Sequence, residues 1–306
     1  MRQAALPTAL AAFASALLFL SAMTGAAGLP VVAYFVQLPL FYLGFGFGLG
    51  QAALASTGAL VLVALAGGGL LGLVFAVVEL APCLFALRQS LLYRRVGERP
   101  EDIEWYPAGR VLAALTLMAL GGVLVGLLVL ASRGDGLVPV FDAAIETVAT
   151  ALPTGGGPGL VAVLTALAPL IAGIVGASWL LMTVVNALLG FWLARRGGGT
   201  RRGPLMPLAL HLPRWCGGAA LAAAAASVVA GGDLAFFAQS ALVVLALPFF
   251  LQGLAVVHVL VRRLPQPRVA LVVFYLALLL LSWPLALALA ALGLAEEWAG
   301  LRRRFT

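Results

Sequence analysis

The chain has 306 residues, of which 63% are hydrophobic and only 9% are charged. Soluble globular domains carry roughly 25% charged residues, so water is not the main solvent of this protein.

The net charge of +7 comes entirely from arginine, because the chain contains no lysine. That absence excludes the lysine of a phosphate-binding loop and any lysine nucleophile or base. We therefore expect no nucleotide hydrolysis by this chain alone. We also expect no nucleic-acid binding, since no arginine cluster lies among stacking aromatic residues.

Apolar runs bounded by glycine, proline or arginine predict the membrane-spanning helices, each of which needs about 20 residues. In chain order the runs cover residues 5–23, 31–49, 51–66, 70–90, 108–131, 169–193, 215–231, 234–261 and 269–295. The first run resembles a signal peptide, but further apolar segments follow it at once, which favours a retained span. The glycines at 44–50 allow the backbone to turn, break or approach a neighbouring helix closely. We predict an all-α, polytopic bundle of about eight or nine spans, forming a single integral membrane domain over residues 1–306.

Arginine placement predicts the orientation of these spans, because short cytoplasmic loops are rich in arginine. Two loops, at 88–110 and 195–214, hold most of the arginines, whereas the segment 132–158 holds Arg133 beside three acidic residues. The two loops and the N-terminus are predicted to be cytoplasmic, and the segment 132–158 and Asp233 to lie outside. Arginines just before the last run prefer the inside, so a single crossing over 269–295 would place Arg302–Arg304 outside, against the rule. The side of the C-terminus stays open.

The outer segment contains a short amphipathic stretch, Phe141–Leu152. Asp142 and Glu146 are four residues apart and lie on one helical face, while apolar residues occupy the other. The stretch is either an interfacial helix or a plain outer loop. Gly155–Gly157 then form a flexible joint before the next span.

Polar side chains inside apolar runs are the candidates for function, because they are expensive in hydrocarbon unless they face protein, water or a ligand. Glu79 is the only carboxylate inside a predicted span, and it is either a binding or proton-linked site or a structural residue bonded to a neighbouring helix. Asn186 and Gln252 can serve a polar ligand or join helices, as can Gln37, Gln51 and Gln239. His258 can titrate near neutral pH or be satisfied at the interface.

Catalytic and metal-binding patterns are missing from the sequence. It contains no GxSxG, no HExxH and no paired intramembrane aspartates, and Cys83 and Cys216 lack CxxC spacing. We predict no enzymatic activity, no cofactor and no metal site.

Two further features point to packing and to the membrane surface. Ala12 and Ala16 place two small side chains on one helical face, which favours close packing inside the chain or, as a second interpretation, a partner interface. Trp105 and Tyr106 are expected to anchor the loop at the membrane interface, where Arg110 can meet lipid phosphates.

Five stretches carry a family resemblance: LPLFYLGFGFGLG at 38–50, LRQSLLYRR at 87–95, EWYPAGR at 104–110, FFLQGLAVVH at 249–258 and GLAEEWAGLRRRF at 293–305. Together they resemble the uncharacterised DUF2232 (YybS-like) family of bacterial membrane proteins over nearly the whole chain. The tail departs from the pattern in having both Glu296 and Glu297.

That family is similar to the substrate-capture (S) components of energy-coupling-factor transporters, which pair with a transmembrane coupling protein and ATPases. The resemblance implies a multi-pass protein of the bacterial cytoplasmic (inner) membrane that contacts membrane lipids and binds an unknown small molecule. We expect Glu79, Asn186, Gln252 and His258 to face its cavity. The alternatives are a non-transporting scaffold or assembly factor and, third, an intramembrane enzyme.

Overall fold

A computed structural model describes residues 2–24, 29–99, 102–134, 136–151, 158–205 and 210–302. Helices dominate these ranges, which confirms the predicted all-α class. The α-helices are α1 (Arg2–Ser21), α2 (Leu29–Ala33), α3 (Leu38–Phe47), α4 (Leu49–Phe75), α5 (Ala81–Ser90), α6 (Ala108–Ala131), α7 (Leu137–Ala151), α8 (Pro158–Arg196), α9 (Trp215–Val229), α10 (Gly232–Val261) and α11 (Pro267–Ala299). A 3-10 turn covers Ala22–Thr24, a π-helical turn covers Ala76–Leu80, and strands β1 (Tyr93–Arg95) and β2 (Ile103–Trp105) form a hairpin.

Six helical runs within the described ranges are long and apolar enough to cross a membrane. They are Ala4–Ser21, Leu49–Ser90, Ala108–Ala131, Gly159–Arg196, Gly232–Val261 and Pro267–Ala299, and two shorter apolar helices cover Val31–Phe47 and Trp215–Val229. The chain is therefore a multi-pass α-helical membrane protein. The predicted number of eight or nine spans stays a prediction, because two of the six runs contain breaks and two apolar helices are short.

The run Leu49–Ser90 shows why helix count and span count differ. As one straight helix its 42 residues would measure about 63 Å, twice the thickness of the hydrocarbon core. Gly68 interrupts it with a φ of 85° and a ψ of 168°, a conformation that glycine adopts without steric cost. The spans predicted over 51–66 and 70–90 lie on either side of this break.

The chain forms two compact units, one of residues 1–111 and 181–205 and the other of residues 112–180 and 206–306. In the first unit α1 packs along α4. A Cβ on Gly58 would lie 3.1 Å from the Ala12 Cβ, and the rings of Phe19 and Phe75 are 4.6 Å apart. Ala12 and Ala16 are only 7% and 2% exposed. Their small-residue face is thus used for packing within the chain, and the prediction of a partner interface there is wrong.

The C-terminal part of α8 and helix α5 pack against α3 in the same unit. A Cβ on Gly190 would lie 2.6 Å from the Phe41 Cβ, and one on Gly44 would lie 2.5 Å from a Leu87 methyl group. Gly48 separates α3 from α4 with a φ of 101°. The glycines at 44–50 therefore supply both the close approach and the break that the sequence predicted.

The first unit also contains a β-hairpin that the sequence analysis missed. In the hairpin, Tyr93 lies opposite Trp105 and Arg94 lies opposite Glu104. The Arg94 and Glu104 side chains also form an exposed ion pair, in which Nη2 lies 2.6 Å from Oε2. Two three-residue strands leave the class of the fold unchanged, but they give the first arginine-rich loop a defined shape.

In the second unit α10 packs against α9 and α11. Gly253 and Gly293 let the backbones of α10 and α11 meet, because a Cβ on Gly253 would overlap the Leu289 carbonyl oxygen and one on Gly293 would overlap that of Phe249. In a straight antiparallel pair Gly253 would lie about 12 Å and Gly293 about 39 Å from the connecting turn. Their contact requires α11 to bend, and Ser282 supplies the bend with a φ of 42°.

After this bend the tail contacts the loop that contains Leu210 and His211. Arg302 donates from Nη2 to the Leu210 carbonyl oxygen at 2.8 Å and lies 3.3 Å from His211 Nδ1. These two residues belong to the loop that the arginine pattern predicts to be cytoplasmic. The run over 269–295 is therefore not one straight helix, and the number of its crossings stays a prediction. Arg303 and Arg304 lie outside the described residues.

The segment predicted to lie outside contains helix α7 rather than a plain loop. Asp233 Oδ1 accepts a 2.8 Å hydrogen bond from the Leu137 backbone N–H, and the rings of Phe141 and Phe236 are 5.2 Å apart. The two regions predicted to be external thus contact each other, while the interfacial position of α7 stays a prediction. Asp135 and the joint Gly155–Gly157 lie outside the described residues.

Candidate functional site

Glu79 is held in the π-helical turn Ala76–Leu80 between α4 and α5. A π-helical turn widens the helix by one residue and is frequent at functional sites. The Glu79 side chain is 7% exposed, so it faces protein rather than lipid, as the cost of a charge in hydrocarbon requires.

The partner of Glu79 is Gln37, which donates from Nε2 to Glu79 Oε2 at 2.9 Å. Gln37 is fully buried and immediately precedes α3. The sequence identified Gln37 as a polar residue in a span but not as the partner of Glu79, because 42 positions separate the two and no local pattern connects them.

The turn Tyr34–Gln37, between α2 and α3, connects this pair to two other helices. Ser15 of α1 donates to the Val36 carbonyl oxygen at 2.5 Å. Asn186 of α8 donates from Nδ2 to the Tyr34 carbonyl oxygen at 2.7 Å and to that of Met182 at 2.8 Å. The structure thus brings two predicted site residues, Glu79 and Asn186, to one turn.

Several buried oxygen atoms of this unit have no hydrogen-bond partner among the described residues. They are Gln37 Oε1, Asn186 Oδ1, Thr183 Oγ1 and Ser56 Oγ. Buried polar side chains in folded proteins are nearly always bonded, and an unsatisfied one costs roughly 1–3 kcal/mol. Thr183 lies one helical turn before Asn186 on the same face of α8. We define the Glu79 site as Glu79, Gln37, Thr183 and Asn186.

Known proteins add no assignment to this site. No family model, curated protein or solved structure matches the chain. The site is therefore interpreted from its own geometry. Among the described residues no group of three histidine, cysteine, aspartate or glutamate side chains is placed to hold a metal ion.

The other two predicted site residues belong to the second unit and have protein partners. Gln252 donates from Nε2 to the Gly293 carbonyl oxygen at 2.7 Å, and its Oε1 accepts from the Leu212 N–H at 3.2 Å. His258 Nδ1 lies 2.8 Å from the Leu254 carbonyl oxygen, and its Nε2 lies 3.3 Å from the Tyr275 hydroxyl. Gln252 therefore joins α10 to α11, and His258 is satisfied as the structural alternative expected.

Trp105 and Tyr106, which are predicted to lie at the membrane interface, help to join the two arginine-rich loops. The buried Arg202 guanidinium donates to the carbonyl oxygens of Ser90 and Tyr106 and lies 5.5 Å from the Trp105 ring. Arg110 is exposed. Contact between these loops agrees with their predicted location on one side of the membrane, and anchoring at the lipid interface stays a prediction.

Sequence reasoning also missed a buried ion pair in the tail. Arg302 Nε lies 2.9 Å from Glu296 Oε1, and the two side chains are only 6% and 2% exposed. Of the two adjacent acidic residues of the tail, Glu296 thus has a structural role, because its ion pair with Arg302 fixes the C-terminal end of α11.

Proposed function

We propose that this chain is a membrane-embedded binding protein for a small polar solute and that it acts as the substrate-capture subunit of an uptake system. The observation that supports this function is the Glu79 site. In it a carboxylate in a π-helical turn is bonded to the Gln37 amide, and buried oxygens of Gln37, Asn186 and Thr183 have no hydrogen-bond partner among the described residues. A purely structural cluster would satisfy these oxygens within the protein, as it does for Gln252.

The sequence supports an external energy source for such uptake. Without a lysine the chain has no P-loop for ATP, so accumulation of a solute would require a transmembrane coupling protein with ATPases or an ion gradient. This arrangement is the one implied by the resemblance to substrate-capture components. The same resemblance implies a location in the bacterial cytoplasmic membrane, in contact with lipid.

The variant Glu79→Gln tests the proposed function. It keeps the shape of the side chain and removes its charge, and charged hydrogen bonds contribute about 1.5–3 kcal/mol, which corresponds to roughly 10-fold to 100-fold in affinity. We expect normal amounts of the variant in the membrane and loss of the small molecule that copurifies with the wild-type protein. Mass spectrometry of protein in lipid nanodiscs measures that molecule.

The matched control is Glu98→Gln, which changes an exposed loop carboxylate and should retain the wild-type molecule. A structural role of Glu79 gives a different result, namely reduced membrane levels of Glu79→Gln. Equal retention by the wild type and Glu79→Gln would show that the solute does not bind at Glu79.

A second function, a non-transporting scaffold, is favoured by other contacts. Gln252 and His258 are bonded to protein groups, and Arg202 joins two loops whose remaining arginines are exposed. A scaffold predicts no copurifying solute in either protein and recovery of partner proteins that depends on the exposed loop arginines.

A further inference from the structure

We infer that the Glu79 site accepts a cationic group carrying a single positive charge, either a small monovalent metal ion or the ammonium group of an organic solute. This inference deepens the proposed function and rests on it. Three observations support it: the site atoms without partners among the described residues are oxygens, these atoms belong to neighbouring residues, and neither ion pair of the described residues neutralises Glu79.

The site atoms that lack partners among the described residues are oxygens. The reason is that the Gln37 and Asn186 amides use their N–H groups for hydrogen bonds within the protein. Gln37 Nε2 donates to Glu79, and Asn186 Nδ2 donates to two backbone carbonyl oxygens. In the described part of the chain, the amide oxygens Gln37 Oε1 and Asn186 Oδ1 accept no hydrogen bond, and the Thr183 hydroxyl has no hydrogen-bond partner. An amide that bound an anion would present its NH₂ group instead.

The placement of these groups brings them near one another. The Asn186 amide contacts the backbone at Tyr34, and Gln37 follows three residues later in the same tight turn, whose ends lie within about 7 Å. Thr183 and Asn186 share a face of α8. The Asn186 amide and Gln37 thus lie at the turn Tyr34–Gln37, Thr183 lies one helical turn from Asn186, and Gln37 connects Glu79 to the turn.

The charge balance favours a monovalent cation. The ion pairs found in the described part of the chain are Arg94–Glu104 and Arg302–Glu296, so neither involves Glu79. An uncompensated carboxylate is costly in a membrane interior, and a bound group with one positive charge compensates it. Carboxylate, amide and hydroxyl oxygens are the ligands of hard cations, and the same oxygens accept N–H bonds from an ammonium group.

A thermal-stability titration tests this inference. The purified full-length protein is titrated with the chlorides of sodium, potassium, ammonium, methylammonium and tetramethylammonium at constant ionic strength, with N-methyl-D-glucamine chloride as the replacement salt. A ligand that binds only the folded state raises Tm as its concentration rises. We expect a saturable rise with at least one cation. A rise with sodium or potassium identifies a metal-ion site, and a rise restricted to the ammonium series identifies an organic ammonium site.

Two variants locate the effect. Glu79→Gln should abolish the saturable rise, and Thr183→Val, which removes one free hydroxyl at constant volume, should weaken the apparent affinity at least threefold. Thr116→Val is the matched control, because Thr116 is equally buried but its hydroxyl donates to the Leu112 carbonyl oxygen. Thr116→Val should leave the apparent affinity unchanged.

The results separate this inference from the proposed function. If no cation raises Tm above the replacement salt while an uncharged molecule copurifies in a Glu79-dependent manner, the cationic class is wrong and the binding function stands. A rise that persists in Glu79→Gln also overturns the cation site. Absence of both the rise and a copurifying molecule overturns the inference and the proposed function together.

Discussion

At the scale of single residues, Arg202 connects the two arginine-rich loops. Its guanidinium joins the backbone of the first arginine-rich loop at two carbonyl oxygens and lies over Trp105. Burial lowers the pKa of Arg202, yet an arginine remains protonated at neutral pH. We therefore expect its contribution to stability to be constant between about pH 6 and pH 8.

The variant Arg202→Lys should destabilise the loops almost as much as Arg202→Ala, because an ammonium group lacks the planar fork that reaches two acceptors at once. The expected loss is about 1.5–3 kcal/mol, the usual range for hydrogen bonds to charged groups. Thermal unfolding in detergent measures it. Arg99→Lys, at an exposed position, is the control, and a loss for Arg202→Lys no greater than for this control would contradict the bridging role.

At the scale of the helices, glycine decides which pairs can approach closely. Gly253 and Gly293 bring α10 and α11 into backbone contact, and Gln252 bonds to the Gly293 carbonyl oxygen at the same crossing. Close approach of this kind is the main source of packing between membrane helices, since lipid supplies no hydrophobic drive for helices to associate.

The variant Gly293→Ala should weaken this crossing, because its new methyl group would overlap the Phe249 carbonyl oxygen. Backbone cannot move aside as a flexible side chain does, so we expect a loss of about 1–3 kcal/mol. Gly218→Ala on α9 is the matched control, since a Cβ there meets nothing within 4 Å. Denaturation in detergent compares the two variants, and equal stability would show that α10 and α11 can separate without cost.

At the scale of the whole molecule, the contacts between loops support the predicted topology. The loops at 88–110 and 195–214 are joined through Arg202, Asp233 bonds to Leu137, and the tail bonds to Leu210. The first contact joins two regions predicted to be cytoplasmic, and the second joins two predicted to be external. Which side of the membrane is the cytoplasm stays a prediction from the arginine pattern.

Cysteine labelling decides the orientation. In a Cys83→Ser, Cys216→Ser background, cysteines at the exposed positions Glu98 and Arg195 should resist a membrane-impermeant thiol reagent in intact cells, and one at Ala144 should react. The opposite labelling pattern would reverse the topology.

The sequence alone determined the properties that depend on local composition. Long apolar runs predict helices in lipid because a backbone without water must satisfy its hydrogen bonds internally. Glycine density predicted that the backbone can turn, break or approach a neighbouring helix at 44–50, and Gly48 separates α3 from α4. Arginine placement predicted that the two arginine-rich loops lie on one side of the membrane. Glu79 was identified as a costly charge because it lies inside an apolar run.

Only the tertiary structure decided which distant residues meet. Gln37 is the partner of Glu79, Gln252 bonds to Gly293, and Ala12 packs inside the chain. Pro284 marks the bent part of α11 locally, because an interior proline disrupts a helix, but only the tertiary structure shows that the break falls at Ser282 and that the tail reaches Leu210. These outcomes depend on contacts between residues tens of positions apart. Helix periodicity predicts the face of the helix on which a residue lies, but it does not predict which other helix packs against that face.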